Sequence, residues 1–193
     1  VAAQLPEVPP SHILTEPAAR NTAPAIGWSL LSMPAAAREG AVIVLPSDHR
    51  IADPGAFRAA LALAAEVVVR EPRILTLGVV PTHPETGFGY LEMAEALPGP
   101  PGLRRVRRFT EKPDRATAER FVAGGEHLWN AGIFVCRGSV LLAGLDRHSP
   151  ELWGGLAELA RAPERATELY PRLQSISIDY AGVEKVEARA ARP

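Results

Sequence analysis

Several short stretches of this chain set an acid, a base or an amide beside prolines and glycines that fix where the side chains point. In Leu45-Pro46-Ser47-Asp48-His49 a carboxylate follows an apolar run and is pinned by a proline. A carboxylate so held can bind Mg²⁺ against a phosphate, or can simply cap the turn that follows. His49 is a poorer ligand, because Mg²⁺ prefers oxygen. Phe109-Thr110-Glu111-Lys112-Pro113 closes a second run with an acid and a base side by side. On an extended chain adjacent side chains point to opposite faces, so Glu111 and Lys112 can address one ligand only if the strand ends or kinks there. Pro113 favours such a break. Glu111 can accept from two hydroxyls and Lys112 can neutralise a phosphate, although a charged pair at a strand end is also at home in solvent.

Three further stretches offer contacts rather than charge. Thr86-Gly87-Phe88-Gly89-Tyr90 carries paired glycines, which let backbone approach a ligand closely or make an ordinary hairpin turn. In Trp129-Asn130-Ala131-Gly132 the amide of Asn130 suits a hydroxyl and the small residues leave room, while Trp129 reads as core. Glu16 to Pro24 leads into a helix N-terminus through Arg20, Asn21 and Thr22. A carboxylate such as Glu16 can accept from both donors on the guanine edge, which adenine and uracil lack. The chain has only two lysines, Lys112 and Lys185, and two asparagines, Asn21 and Asn130. All four fall inside stretches singled out here or below.

The elements that must position these residues alternate between strand and helix. His12 to Leu14 reads as the end of a strand, and Asn21 or Thr22 caps a helix running to about Arg38, stopped by Gly40. Ala41 to Leu45 has the unbroken apolar character of a strand buried on both faces. Asp53-Pro54 opens a helix with Phe57, Leu61, Ala64 and Val68 on its inner stripe. Arg73 to Val80 is a second buried strand; Tyr90 to Met93 and Arg104 to Phe109 flank a Pro/Gly turn. Asp114 caps a helix that ends at Gly124-Gly125, Gly132 to Cys136 is a strand, and Ser139 to Tyr170 is helical with breaks at Ser149-Pro150 and Pro163. The pattern predicts one α/β domain over residues 1–193: a Rossmann-like, open, mostly parallel sheet with helices on both faces and ligands beyond the carboxyl ends of its strands.

Composition narrows the setting. The chain has 193 residues, 47% of them hydrophobic and 22% charged, enough for a sizeable core. A net charge of -1 gives nothing to attract nucleic acid or an anionic membrane. The basic run Arg104 to Arg108 reads as a solvated edge strand. No apolar run is long enough to span a bilayer. The lone Cys136 excludes an internal disulfide and suits a reducing, cytoplasmic setting.

Together, Glu16 to Ile26, Leu45 to Ile51, Leu77 to Tyr90, Phe109 to Asp114, Leu128 to Phe134 and Ser177 to Lys185 resemble the bacterial mannose-1-phosphate guanylyltransferases, in the sugar-phosphate nucleotidyltransferase family. The stretches occur in family order and cover nearly the whole chain. The resemblance implies Mg²⁺-dependent transfer of a guanylyl group from GTP to mannose 1-phosphate, giving GDP-mannose and pyrophosphate. It further implies that Asp48 is a metal ligand, that Glu16, Arg20, Asn21 and Thr22 lie near the base, and that Gly89, Glu111 and Asn130 hold the sugar. Lys112 would lie near the sugar phosphate and act in the chemistry, with the Glu184-Lys185 pair a further phosphate contact. The chain departs from the family at Phe88 and Gly182, where a Tyr and a bulkier apolar residue are expected. Another nucleotide or sugar, or a non-catalytic nucleotide-sugar sensor, remains an alternative, and assembly as a homo-oligomer is admitted. The family's glycine-rich triphosphate loop is expected before residue 1 and a second metal aspartate after residue 193, so these residues alone are expected to lack turnover.

Overall fold

The computed structural model describes residues 3–99, 101–183 and 188–191. Its six strands are β1 (Ala41–Val44), β2 (Ile74–Val79), β3 (Tyr90–Ala96), β4 (Arg104–Thr110), β5 (His127–Arg137) and β6 (Ala188–Ala191). They form a single sheet in the order β1-β5-β2-β6-β4-β3, and β3 also pairs with the start of β5. The principal helices are α1 (Thr22–Ser32), α2 (Pro54–Arg70), α3 (Arg115–Gly124), α4 (Gly138–His148) and α5 (Pro150–Arg161).

Side-chain alternation along the strands feeds two cores, so helices cover both faces as expected. Leu75 and Val135 pack with Ala64 and Val68 of α2. Ile74, Phe134 and Cys136 point the other way and join Leu30 of α1, Leu141 and Leu145 of α4, and Leu152, Leu156 and Leu159 of α5. Cys136 is fully buried, and burial pushes its thiol up to about 12, so it serves as a small hydrophobe. The capping expectations hold at α2, where Asp53 Oδ1 accepts from the N–H groups of Gly55 and Ala56 at 2.9 Å. They hold also at α3, where Asp114 accepts from Thr117 N–H at 2.7 Å and Gly125 ends the helix at φ 68°.

Strand direction departs from the expectation of a mostly parallel sheet. β1, α2 and β2 do form a strand-helix-strand unit, but antiparallel β5 runs between the two strands. Only β2 and β6 pair in parallel among the described residues. Among the described residues β1 lies at the sheet edge, so its residues alternate between exposed and half-buried, with Ile43 40% exposed, in place of the two-sided burial its apolar run suggested. Conversely, β4 is not an edge: it lies between β3 and β6, and its arginines pair with acids nearby, Arg105 with Glu95 at 2.7 Å and Arg107 with Glu92 at 3.0 Å.

Three boundaries also move. Residues Pro10–His12 form a 3-10 turn rather than a strand end, because Pro9 and Pro10 fix the backbone there. α1 stops at Ser32, since Met33 precedes Pro34 and is driven to extended geometry; a 3-10 turn at Ala35–Glu39 follows. β5 begins at His127, well before the predicted start at Gly132, and so takes in the whole Trp129 to Gly132 stretch. The sequence there looks like a loop because the strand is bulged: Gly132 sits at φ 65°, and the register with β2 shifts between Thr76 and Gly78. No helix among the described residues is long and apolar enough to cross a membrane.

Candidate active site

The antiparallel β3–β4 pair sets Tyr90 opposite Thr110, which brings the Gly89 and Glu111 segments together just past the strand ends. Lys112 takes φ 44°, the break the adjacent acid and base required, and its N–H donates to Phe88 C=O at 3.2 Å. With the chain turned in this way, Lys112 Nζ lies 3.4 Å from Glu111 Oε1. Glu111 is largely covered and Lys112 mostly exposed, so a sheltered acid stands beside a solvent-facing cation. Gly89 makes the arrangement possible: a Cβ there would lie 2.7 Å from Glu111 Oε2 and 2.7 Å from the Phe109 ring.

β5 adds Asn130. Its N–H donates to Gly89 C=O at 2.8 Å, tying the glycine segment to the bulge. The side-chain Oδ1 accepts from Thr76 Oγ1 at 2.8 Å and from Gly132 N–H at 3.2 Å, while Nδ2 donates to Asp179 Oδ1 at 3.0 Å. Sequence reasoning does not single out Asp179, although it lies inside the Ser177 to Lys185 stretch. Burial raises its pKa and the nearby Glu111 carboxylate raises it further, with Asn130 and Lys112 opposing. The signal that could find it is an acid embedded among apolar residues in a family-like segment. Glu184 and Lys185, which draw attention there, lie outside the described residues.

The N-terminus of α1 reaches the same segment. Asn21 caps the helix through Oδ1 to Thr22 N–H at 2.8 Å, at φ 69°. Thr22 Oγ1 accepts from Ile178 N–H at 2.9 Å, and Ala23 N–H donates to Ile176 C=O at 3.1 Å, so α1 begins one residue from Asp179. Glu16 instead meets the fully buried Tyr170, whose hydroxyl donates to Glu16 Oε1. Burial, then this carboxylate, hold the Tyr170 phenol well above its ordinary pKa. Arg20 has a buried Nε with no hydrogen-bond partner among the described residues.

Asp48 lies apart from this cluster. It is exposed, on the rim of a cleft of about 630 Å³ between α2 and the sheet. Phe57, Ala60, Leu77 and Ile133 wall the cleft, and Asn130 is the one cluster residue that also lines it. The structure thus brings Gly89, Glu111, Lys112 and Asn130 together, adds Asp179, connects Asn21 and Thr22 through Ile178, and leaves Asp48 on the cleft side. Among the described residues no three His, Cys, Asp or Glu side chains converge on a metal-binding group. Asp48 still fits a divalent cation as a single carboxylate ligand, because Mg²⁺ commonly keeps waters and takes its remaining ligands from phosphates.

The chain is similar to known proteins over most of its length. The chain is 40% identical over 185 residues to the xanthan biosynthesis protein XanB of Xanthomonas campestris pv. campestris, covering 92% of this chain and 38% of that one. It is 33% identical over 183 residues to the mannose-1-phosphate guanylyltransferase of Klebsiella pneumoniae, covering 91% and 39%. The chain therefore spans about two fifths of the length of these curated relatives. The crystal structure described as mannose-1-phosphate geranyltransferase from Thermus thermophilus superposes with a TM-score of 0.77 at 30% identity, over 93% of this chain and 52% of that one. The sequence profile of the nucleotidyl transferases matches residues 5–173, which hold every described residue of the cluster except Asp179, and the chain belongs to the nucleotidyl transferase family.

Proposed function

We propose that this chain forms the nucleotide- and sugar-phosphate-binding core of an enzyme that makes GDP-mannose and pyrophosphate from GTP and mannose 1-phosphate. The observation that carries this reading is the meeting of Glu111 and Lys112 over Gly89, where any Cβ would collide with the Glu111 carboxylate, with the backbone of Asn130 bonded to the same glycine. Hydroxyls can donate to Glu111 and accept from Asn130, while Lys112 is free to follow a phosphate. The named activity of the Klebsiella relative supports the choice of substrates.

In the reaction, a phosphate oxygen of mannose 1-phosphate forms a bond to the α-phosphorus of GTP as the bond to the bridging oxygen of pyrophosphate breaks. The nucleophile is already an anion, so no proton has to be removed, and the protein contributes position and charge. Asp48 would hold Mg²⁺, which when bound neutralises charge on the phosphates. The buried, reduced Cys136 supports a cytoplasmic setting.

Glu16 Oε1 accepts from Tyr170, and the carboxylate keeps acceptor sites for the two donors of a guanine edge. The decisive experiment is pyrophosphate release by the full-length protein with Mg²⁺, comparing GTP, ATP and UTP against mannose 1-phosphate and glucose 1-phosphate. GTP with mannose 1-phosphate is expected to dominate. Turnover confined to UTP with glucose 1-phosphate would overturn the reading.

A further inference from the structure

Asn130 has little freedom left. A side-chain amide offers two acceptor lone pairs and two N–H donors. Thr76 and Gly132 donate to Oδ1, and one Nδ2 proton goes to Asp179, which leaves a single N–H for anything outside the protein. Thr76 is fully buried and also within 3.1 Å of Ile133 C=O, so it is fixed in its turn. Without Asp179 the amide would keep its two oxygen contacts but lose the acceptor that holds its nitrogen end, so rotation would be opposed from one side only.

We propose that Asp179 is a positioning residue of the sugar-phosphate site, holding the Asn130 amide so that its one free N–H faces the ligand. The inference rests on the sugar-phosphate reading of that site. Glu111 lies near enough to Asp179 for its charge to raise the Asp179 pKa, so that carboxylate and the Asn130 amide have Asp179 as a common neighbour. A donor next to an acceptor matches a hydroxyl, which accepts from one and donates to the other. The site would therefore require a sugar hydroxyl at this point and reject the deoxy analogue, since Glu111 and Asn130 would then be stranded together.

The test uses the full-length protein with Asp179→Leu, which removes the acceptor, and Asp179→Asn, which keeps one. Asp179→Leu is expected to raise the KM for mannose 1-phosphate about tenfold, the scale of one unpaired buried group, with the KM for GTP unchanged within about twofold. Asp179→Asn should stay within about threefold of wild type, because its carbonyl can replace the lost acceptor. In an Asn130→Ala background Asp179→Leu should add almost nothing, as a residue acting through Asn130 must. Equal shifts in both KM values, or an undiminished effect without Asn130, would overturn the proposal.

A second arm needs no substrate: hydrogen exchange of the Asn130 side-chain amide by NMR, assigned by its loss in Asn130→Ala. Wild type and Asp179→Asn should protect one of the two protons, and Asp179→Leu should lose that protection; if Leu does not fold, Asp179→Ala takes its place. Unchanged protection would overturn the proposal even in a protein that fails to turn over GTP with mannose 1-phosphate, whereas lost protection in such a protein would count only against the assigned activity.

Discussion

The cleft beside α2 and the cluster around Asn130 share one residue and are built from different materials. Phe57, Ala60, Leu77 and Ile133 define the cleft by shape, with Asp48 at its rim. Gly89, Asn130, Thr76 and Asp179 define the cluster by hydrogen bonds, with Glu111 and Lys112 beside them as an ion pair. An apolar wall loses stability in proportion to the volume removed and can partly relax. A polar chain fails at once when one member goes, because its partner is left unpaired. Rate should therefore depend on the charge at the cleft rim, and sugar affinity and selectivity on the cluster.

The largest effect is expected from Asp48→Asn in the full-length protein: turnover should fall by about a hundredfold or more, with substrate binding less affected. Near-normal turnover at saturating Mg²⁺ would reduce Asp48 to a turn residue and leave the cleft without chemistry. Gly89→Ala comes next, since the added methyl must displace the Phe109 ring and the Glu111 carboxylate. It should cost about 1–3 kcal/mol of stability in denaturant unfolding, as overpacked sites do, and weaken the sugar phosphate as well.

Glu111→Ala should raise the KM for mannose 1-phosphate about tenfold, and Lys112→Ala should also lower kcat, because charge near the phosphate matters more as the reaction proceeds. If steady-state kinetics showed Glu111→Ala acting only on the KM for GTP, the cluster would be a nucleotide site. Glu16→Gln should narrow the preference for GTP over ATP by no more than about tenfold, since Tyr170 already takes up part of that carboxylate. An unchanged preference would move base recognition to the backbone near Asn21 and Thr22. The smallest effect belongs to Gly154→Ala, outside both regions. This glycine is exposed inside α5, and a methyl added to it would meet nothing within 4 Å. About 0.5–1 kcal/mol of stability should be gained in denaturant unfolding, with kinetics left alone.

What the sequence disclosed about these regions follows the distance over which each feature is determined. The Asp53 and Asp114 caps and the turn between β3 and β4 are local, and all three stand where their residues indicate. The Glu111-Lys112 pair is readable for the same reason, since Pro113 announces a break and the backbone supplies one at Lys112. Asn130 stands out for its chemistry but reads as preceding its strand, because the pairing of its N–H with Gly89 C=O joins residues far apart in the chain. The exposure of β1 depends on which strands flank it, and an apolar run says nothing about neighbours. Asp179 escapes a sequence reading for a similar reason: its meaning comes from Asn130, 49 residues away.

The docking of α1 has a consequence for how the chain is made. Thr22 is held by Ile178, 156 residues later, and Glu16 by Tyr170, 154 residues later. A ribosome adding roughly 5–20 residues per second needs about 8–30 s to supply that partner. For much of that interval, until α4 and α5 have been made, the apolar side of α1, with Ala23 and Leu30 destined for the core, has no helix to cover it. The start of the helix and the Asn130–Asp179 contact are then completed by the same late event, so a nascent chain arrested before Ile178 would have an unanchored helix start and no Asp179.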